Sequence, residues 1–183
     1  MNLPKELFEH YKKNWLLGDY SFITLEKGPM KSLNPDFTVL VIPPNDKRAM
    51  WTYATIGMSN TVSQPIEIHL FSENENDDLV EILTAIAYYK LTGNSVELNG
   101  TVNFGRPWFP NSKCEYGLIS LPYLDGPELE KFRVHNTVIS FYWLIPITKQ
   151  ERDYRCKYGI EKLEKYFDNE NFNYLNPFRT SVI

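Results

Sequence analysis

The sharpest chemical signal in this sequence of 183 residues is a thiol with a basic neighbour. Cys114 follows Lys113, and a nearby cation lowers the pKa of a cysteine thiol, which favours the nucleophilic thiolate. One of the three histidines, brought close by the fold, would complete a thiol nucleophile and its base. The local sequence offers no further support, and a thiol packed in or beside an ordered loop is the commoner arrangement. We therefore expect no enzyme activity, with a small Cys- or His-dependent enzyme as the lesser alternative.

Metal and nucleotide chemistry have even less support. The histidines His10, His69 and His135 lack the spacing of metal ligands, and Cys114 and Cys156 lie far apart. The segment NFGRPW, which begins at Asn103, lacks the glycine spacing of the phosphate-binding fingerprints. The sequence therefore predicts neither a metal site nor a cofactor.

An acidic run is the best candidate for a partner-binding surface. It precedes a predicted helix and consists of Glu73, Glu75, Asp77 and Asp78. Carboxylates at a helix start complement the positive end of the helix dipole, so the run is also consistent with a solvated helix entry. Alternatively, it is an electrostatic landing site for a basic protein. The net charge of −4 argues against direct binding of nucleic acid and is compatible with a basic protein partner.

The segment from Thr101 to Gly126 combines helix breakers with aromatic residues, which is typical of an ordered loop packed by its own rings. Within it, Arg106 precedes a rigid Pro-Trp pair. This arrangement resembles a protein-binding hot spot; alternatively, Trp108 fills the core while Arg106 pairs with Asp125 or a main-chain carbonyl. The residues that we take as the signature and structural anchors of the loop are Asn103, Gly105, Arg106, Pro107, Trp108, Tyr123 and Asp125.

The elements that position these residues follow from hydrophobic periodicity. Helices are predicted over 4–15 and 78–91, and a third opens at a capping box of Thr148 and Glu151 and continues through Phe167. Strands are predicted over 20–26, 37–42, 50–56, 66–71, 116–121 and 138–147. This order predicts one α+β domain over residues 1–183, with a mixed sheet and helices packed against it.

The location of the protein is predicted to be cytoplasmic. Two cysteines far apart are most simply two reduced thiols. No stretch reaches the roughly 18 apolar residues that a membrane span needs, and the first 15 residues lack the apolar core of a secretory signal.

Five blocks of sequence together resemble the suppressor-of-fused-like family, and in particular its short bacterial single-domain members. They appear in the family's order and cover nearly the whole chain: WTYATIGMS from Trp51, PIEIHLFS from Pro65, TVNFGRPWFPNSKCEYGLISLPYLDG from Thr101, FYWLIPITKQER from Phe141 and the closing PFRTSVI.

The resemblance implies a compact α+β domain without catalytic machinery. Bacterial members of the family act largely as immunity proteins or antitoxins that neutralise polymorphic toxins, often nucleases, by direct binding. The larger animal relative sequesters a zinc-finger transcription factor between two domains, whereas this chain matches one such domain. The resemblance therefore implies an immunity protein with a cognate toxin as partner, and no membrane. The alternative is a cytosolic module that sequesters a protein unrelated to toxins.

Overall fold

A computed structural model describes residues 3–15, 18–25, 32–60, 64–170 and 172–183. These residues form five α-helices, which are α1 (Leu3–Trp15), α2 (Asp78–Leu91), α3 (Pro127–Glu130), α4 (Lys149–Tyr158) and α5 (Ile160–Asn169). A short 3₁₀ helix covers Met58–Asn60. The strands are β1 (Ser21–Ile23), β2 (Thr38–Ile42), β3 (Trp51–Ile56), β4 (Ile66–Ser72), β5 (Thr101–Asn103), β6 (Cys114–Ser120), β7 (Lys131–Val134) and β8 (Thr137–Thr148).

The eight strands form one mixed sheet in the order β1-β2-β3-β4-β8-β6-β5, and β7 also pairs with β8. Strands β1 to β4 are an antiparallel meander, whereas β4 pairs with β8 in parallel, with Ile66 opposite Ser140. The predicted α+β fold with a mixed sheet is confirmed.

Backbone contacts divide the chain into two compact units. The first consists of Met1–Ser95 and Leu121–Trp143, and the second of Val96–Ser120 and Leu144–Ile183. The organisation of residues 1–183 as a single domain stays a prediction.

The core of the first unit forms where α1 packs on the sheet. The apolar face of α1 buries Leu7, Tyr11 and Trp15 against strand residues such as Leu40 and Phe141. The Tyr11 hydroxyl donates a hydrogen bond to the carbonyl oxygen of Thr55 at 3.1 Å, so its burial leaves no unpaired donor. The periodicity of the sequence predicted this helix within one residue at its start.

The predicted third helix is in fact two helices. The capping box is present: Thr148 accepts a hydrogen bond from the Glu151 N–H, and the Glu151 side chain accepts one from the Thr148 N–H. Gly159 then interrupts the helix with a φ of 89°, which the sequence-based prediction of a continuous helix missed. A backbone angle in this region is accessible to glycine at little cost, and here it separates α4 from α5.

Other differences concern short elements. The segment predicted as one long loop contains β5 and the first residues of β6. The hairpin of β7 and β8 was missed because its turn begins at His135, with a φ of 51°, rather than at a glycine or asparagine. The predicted first strand is limited to Ser21–Ile23, and its last residue, Glu26, lies outside the described residues.

Candidate functional site

A tight turn from Pro122 to Gly126 presents two apolar side chains to solvent. The amide groups of Asp125 and Gly126 both donate to the Pro122 carbonyl oxygen, at 2.9 and 3.1 Å. Tyr123 is 63% exposed and Leu124 is 48% exposed, whereas the Asp125 side chain is only 1% exposed. The Asp125 side chain thus lies within the turn, whereas Tyr123 extends from it, and the role of Tyr123 as an anchor stays a prediction.

Two side chains bind the Asp125 carboxylate inside the first unit, and a third lies beside it. The indole N–H of Trp15, at the end of α1, donates to Oδ1 at 2.8 Å. Arg48, in the turn between β2 and β3, forms an ion pair with the same oxygen. The imidazole Nε2 of His69 in β4 lies 3.3 Å from Oδ2. The carboxylate thus joins its own turn to the helix α1, the strand β4 and the turn between β2 and β3.

Aromatic rings enclose this charged cluster. The Arg48 guanidinium lies over the rings of Trp15 and Phe71, at 5.4 and 4.9 Å from their centroids. The His69 ring contacts the same two rings at 5.3 and 5.2 Å. Because rings on both sides exclude water, each charge in the cluster depends on its partner for stabilisation.

The electrostatics of the cluster favour an ionised Asp125 and a neutral His69. Burial acts to raise the pKa of Asp125, but its contacts with His69 and Arg48 outweigh burial and lower it. Burial lowers the pKa of His69, and the opposing effect of Asp125 only partly compensates. A neutral imidazole beside a carboxylate that is already paired with arginine stabilises structure and has no access to a substrate from solvent.

The remaining signature residues lie in the second unit. The Asn103 side chain accepts a hydrogen bond from the Gly105 N–H at 2.8 Å, and Gly105 has a φ of 73°. Trp108 is buried at 2% exposure, with its ring 5.5 Å from that of Phe104. The Trp108 N–H donates to the Cys114 carbonyl oxygen at 2.7 Å and closes the loop. Arg106 and Pro107 are half-buried, and a role for them in binding stays a prediction.

The acidic run forms the connection between β4 and α2. Glu73, Glu75 and Asp77 are exposed, and Asp78 is half-buried. The connection is fixed from within: the Asn76 N–H donates to the Tyr53 hydroxyl at 2.8 Å, and the Asn76 side chain accepts from the Asp78 N–H at 3.0 Å. The predicted partner-binding carboxylates thus come from one short, ordered segment.

A second buried carboxylate, Glu67 in β4, organises the turn after β3. Its oxygens accept hydrogen bonds from the N–H groups of Gly57, Met58 and Ser59 and from the hydroxyls of Ser59 and Thr55, at 2.6 to 3.3 Å. Gly57 has a φ of 95°, and a Cβ at this position would lie 3.2 Å from the Asp36 carbonyl oxygen. Only glycine therefore suits the turn that directs these donors at Glu67.

Burial raises the pKa of Glu67 to about 7, although all of its hydrogen bonds act to lower it. The folded protein therefore holds this proton more tightly than the unfolded chain, whose glutamate titrates near 4.5. The contribution of Glu67 to stability is fully present below pH 4.5 and is lost as the pH rises to about 7. We expect the loss to reach about 3 kcal/mol.

A ¹³C NMR titration of the glutamate carboxyl groups, with Glu67→Gln to assign the resonance, measures this pKa directly. The difference in unfolding free energy between the wild type and Glu67→Gln should shift with pH in the same window, because both proteins keep His69 and Asp125. A Glu67 carboxyl that titrates near 4.5, or a pH-independent difference, would contradict the prediction.

The thiol of Cys114 is not activated as a nucleophile. Cys114 is 1% exposed, and burial raises its pKa, against the expected effect of Lys113. A raised pKa leaves the thiol protonated at neutral pH, which is the opposite of what a nucleophile requires. Among the described residues, no cluster of His, Cys, Asp or Glu is arranged to hold a metal ion, and no helix is long and apolar enough to cross a membrane.

Comparison with known proteins places this geometry in a family. The sequence profile of the suppressor of fused protein matches residues 34–180, which include Asp125 with its neighbours Arg48 and His69, and also Glu67. The chain belongs to the suppressor of fused protein family. Among curated proteins, none matches it.

Solved structures of suppressor-of-fused proteins share the fold. A homolog from Neisseria gonorrhoeae FA 1090 is 32% identical, with a TM-score of 0.87 over 99% of this chain and 97% of that one. A chain of the Sufu–Fu complex is 15% identical, with a TM-score of 0.69 over 98% of this chain and 92% of that one. Drosophila Suppressor of Fused is 12% identical, with a TM-score of 0.57 over 80% of this chain and 42% of that one.

Sequence reasoning missed most of the buried polar residues of this suppressor-of-fused protein. Because successive side chains of a strand point to opposite faces, Glu67 and His69 share one face of β4, but all seven residues of the strand are buried, so that face is interior as well. A glutamate and a histidine within an otherwise apolar strand were the available signal, because a charged side chain in a central strand needs partners. Arg48 gave no such signal, since it lies in a polar turn.

Proposed function

We propose that this suppressor-of-fused protein is a non-catalytic immunity protein, an antitoxin that binds a cognate toxin and blocks it. The partner that fits best is a basic nuclease domain. The observation that carries this proposal is the ordered, exposed acidic segment between β4 and α2, in a chain with a net charge of −4. A protein partner is also consistent with the Sufu–Fu complex, which has the same fold.

The electrostatics of the acidic segment support a role in recognition. Burial raises the pKa of Tyr53 to about 12, and the negative charges of Glu75 and Asp77 contribute to the increase. The carboxylates thus generate a local negative potential at a fixed site. Nuclease active sites bind phosphates with cationic side chains, and fixed carboxylates can occupy such a site in place of phosphates. Opposite potentials also accelerate association.

The proposal predicts that charge reversal in this segment weakens toxin binding. We expect the triple variant Glu73→Lys, Glu75→Lys and Asp77→Lys to associate at least about tenfold more slowly with the toxin encoded by the neighbouring gene. The wild-type association rate should fall steeply with added salt, whereas that of the variant should not. Surface plasmon resonance at two salt concentrations measures both effects, and growth of bacteria that co-express the two proteins measures rescue.

A matched control reverses the charge of three exposed carboxylates in and just after α5: Glu161→Lys, Asp168→Lys and Glu170→Lys. The net charge changes equally, so only a local effect of the acidic segment distinguishes the two variants. Equal binding by both variants would show that the acidic segment is not the interface. If the neighbouring protein is harmless alone, or if this chain neither binds nor inhibits it, the immunity proposal is wrong. A sequestering module with another partner then becomes the better hypothesis.

A further inference from the structure

A groove of about 1050 Å³ runs along the first unit between a helix and the hairpin of β7 and β8. One wall is the outer side of α1, with Lys5, Glu6, Glu9 and Lys13. The other wall is formed by five consecutive residues, 131–135. Four of these residues form β7 and the fifth, His135, begins the turn. Successive side chains of a strand point to opposite faces, so four consecutive strand residues line one groove when the backbone edge of the strand faces it.

That edge of β7 is free for pairing. Among the described residues, β7 pairs with β8 alone, with Phe132 opposite Ile139 and Val134 opposite Thr137. Apart from the bonds within α3 and within the β7–β8 pair, no backbone hydrogen bond in the described part of the chain involves Lys131 or Arg133. The groove therefore contains an unused strand edge, the feature by which sheets accept an additional strand from a partner.

The hairpin geometry identifies the backbone groups that face the groove. Val134 and Thr137 flank a two-residue turn, so they exchange hydrogen bonds with each other, and Phe132 and Ile139 form the next hydrogen-bonded pair. The positive φ of His135, at the first turn position, fits a tight hairpin turn. The alternate residues Lys131 and Arg133 consequently direct their backbone groups away from β8. Because the Lys131 N–H closes the last turn of α3, the groups left for a partner strand are the Lys131 carbonyl and the N–H and carbonyl of Arg133.

The side chains of β7 also alternate, with apolar residues toward the core and basic residues toward solvent. Phe132 and Val134 pack against the core, and the Phe132 ring stacks on that of His10, with centroids 4.7 Å apart. Lys131 and Arg133 are exposed. On a paired strand, the residues directly opposite these two on the same face would be their nearest neighbours. Like charges opposite each other are destabilising, whereas carboxylates there form cross-strand ion pairs.

We propose that this groove binds an extended acidic peptide segment, which pairs with the free edge of β7 and places carboxylates opposite Lys131 and Arg133. The α1 wall carries two lysines and two glutamates, and Glu128 of α3 adds one further carboxylate to the lining, so Lys131 and Arg133 of the strand wall give the groove its positive excess. The occupant is a strand of a partner protein with acidic residues at alternate positions. This inference is independent of the toxin proposal, which concerns the acidic segment between β4 and α2.

A fluorescein-labelled hexapeptide of alternating Glu and Val is the probe, titrated to about 1 mM with the full chain and followed by fluorescence anisotropy. We expect saturable binding that weakens with salt. The Lys131→Glu, Arg133→Glu variant should bind at least about tenfold more weakly and should instead prefer a hexapeptide of alternating Lys and Val. Lys12→Glu, an exposed site on α1 away from the groove, is the matched control and should bind normally.

Hydrogen exchange tests the strand pairing separately. In the free protein, the amide of Arg133 should exchange quickly and those of Phe132 and Val134 slowly; on addition of the Glu-Val peptide, the Arg133 amide should become protected. A Glu-Val peptide with alternate amides N-methylated should fail to bind. Absence of binding, equal binding of the N-methylated peptide, or loss of binding in Lys12→Glu would each overturn the proposal.

Discussion

Replacing Arg179 with alanine is expected to lower the free energy of unfolding of this protein by about 3–5 kcal/mol. The guanidinium of Arg179 binds both carboxylate oxygens of Glu151, at 2.5 and 2.7 Å, and also donates to the Pro146 carbonyl oxygen. Glu151 is fully buried, so removing its cation leaves an uncompensated charge in the interior of the second unit. Urea unfolding, followed by circular dichroism, measures the change.

An exposed ion pair on α4, the helix that contains Glu151, provides the control. Lys149 and Asp153 pair at 2.6 Å, with side chains that are 65% and 47% exposed. Lys149→Ala should change the stability by no more than about 0.5 kcal/mol, because water screens and replaces an exposed pair. If Arg179→Ala proved as mild as Lys149→Ala, the tail that carries Arg179 would not be part of the cooperative core of the second unit.

Replacing Asp125 with alanine should destabilise the first unit by a similar amount, about 3–5 kcal/mol. The substitution leaves Arg48, which is 15% exposed and enclosed by two aromatic rings, without its ion pair, and leaves the Trp15 indole N–H without its acceptor. Asp125→Asn keeps the acceptor and loses only the charge, so an intermediate loss is expected. Thermal unfolding of the three proteins, monitored by tryptophan fluorescence, gives the order.

Asp46→Ala is the control for this series, since Asp46 lies in the same turn as Arg48 and is exposed. Its effect should stay within about 0.5 kcal/mol. Equal stability of Asp125→Ala and Asp46→Ala would mean that Arg48 finds other partners and that the turn is not held through Asp125. Tyr123 and Leu124 extend from the turn of residues 122–126, so their position in solution also depends on the Asp125 carboxylate.

Short-range patterns in the sequence predicted the features that depend on neighbouring residues, such as helices and helix caps. The helices α1 and α2 follow from apolar spacing, and the capping box of Thr148 and Glu151 was readable because its two residues are three positions apart. The partner that Glu151 also needs, Arg179, is 28 residues away, and no short-range pattern connects the two. The sequence thus revealed the cap but not the ion pair.

The candidate site shows the same limit more strongly. Asp125 was singled out as an anchor, yet its partner Trp15 is 110 residues away, and the sequence suggested Arg106 as a possible partner instead. Glu67 and His69 share one face of a strand because they are two residues apart. This spacing does not determine whether one face or both faces of the strand will be buried by other elements. Tertiary packing made both faces of β4 interior, and the buried polar network followed from that.

The discontinuity of the first unit has a consequence for how the protein emerges from the ribosome. Residues 1–95 contain Trp15, Arg48 and His69, but the carboxylate that joins them and the strand that pairs with β4 belong to residues 121–143. During synthesis, the early segment therefore exposes an unpaired edge of β4 and a cationic, aromatic pocket while the intervening second-unit residues are translated. Nascent chains that end between Ser95 and Leu121 should be preferred substrates of chaperones that bind unfolded chains. Slowly translated codons in this interval should increase aggregation rather than assist folding.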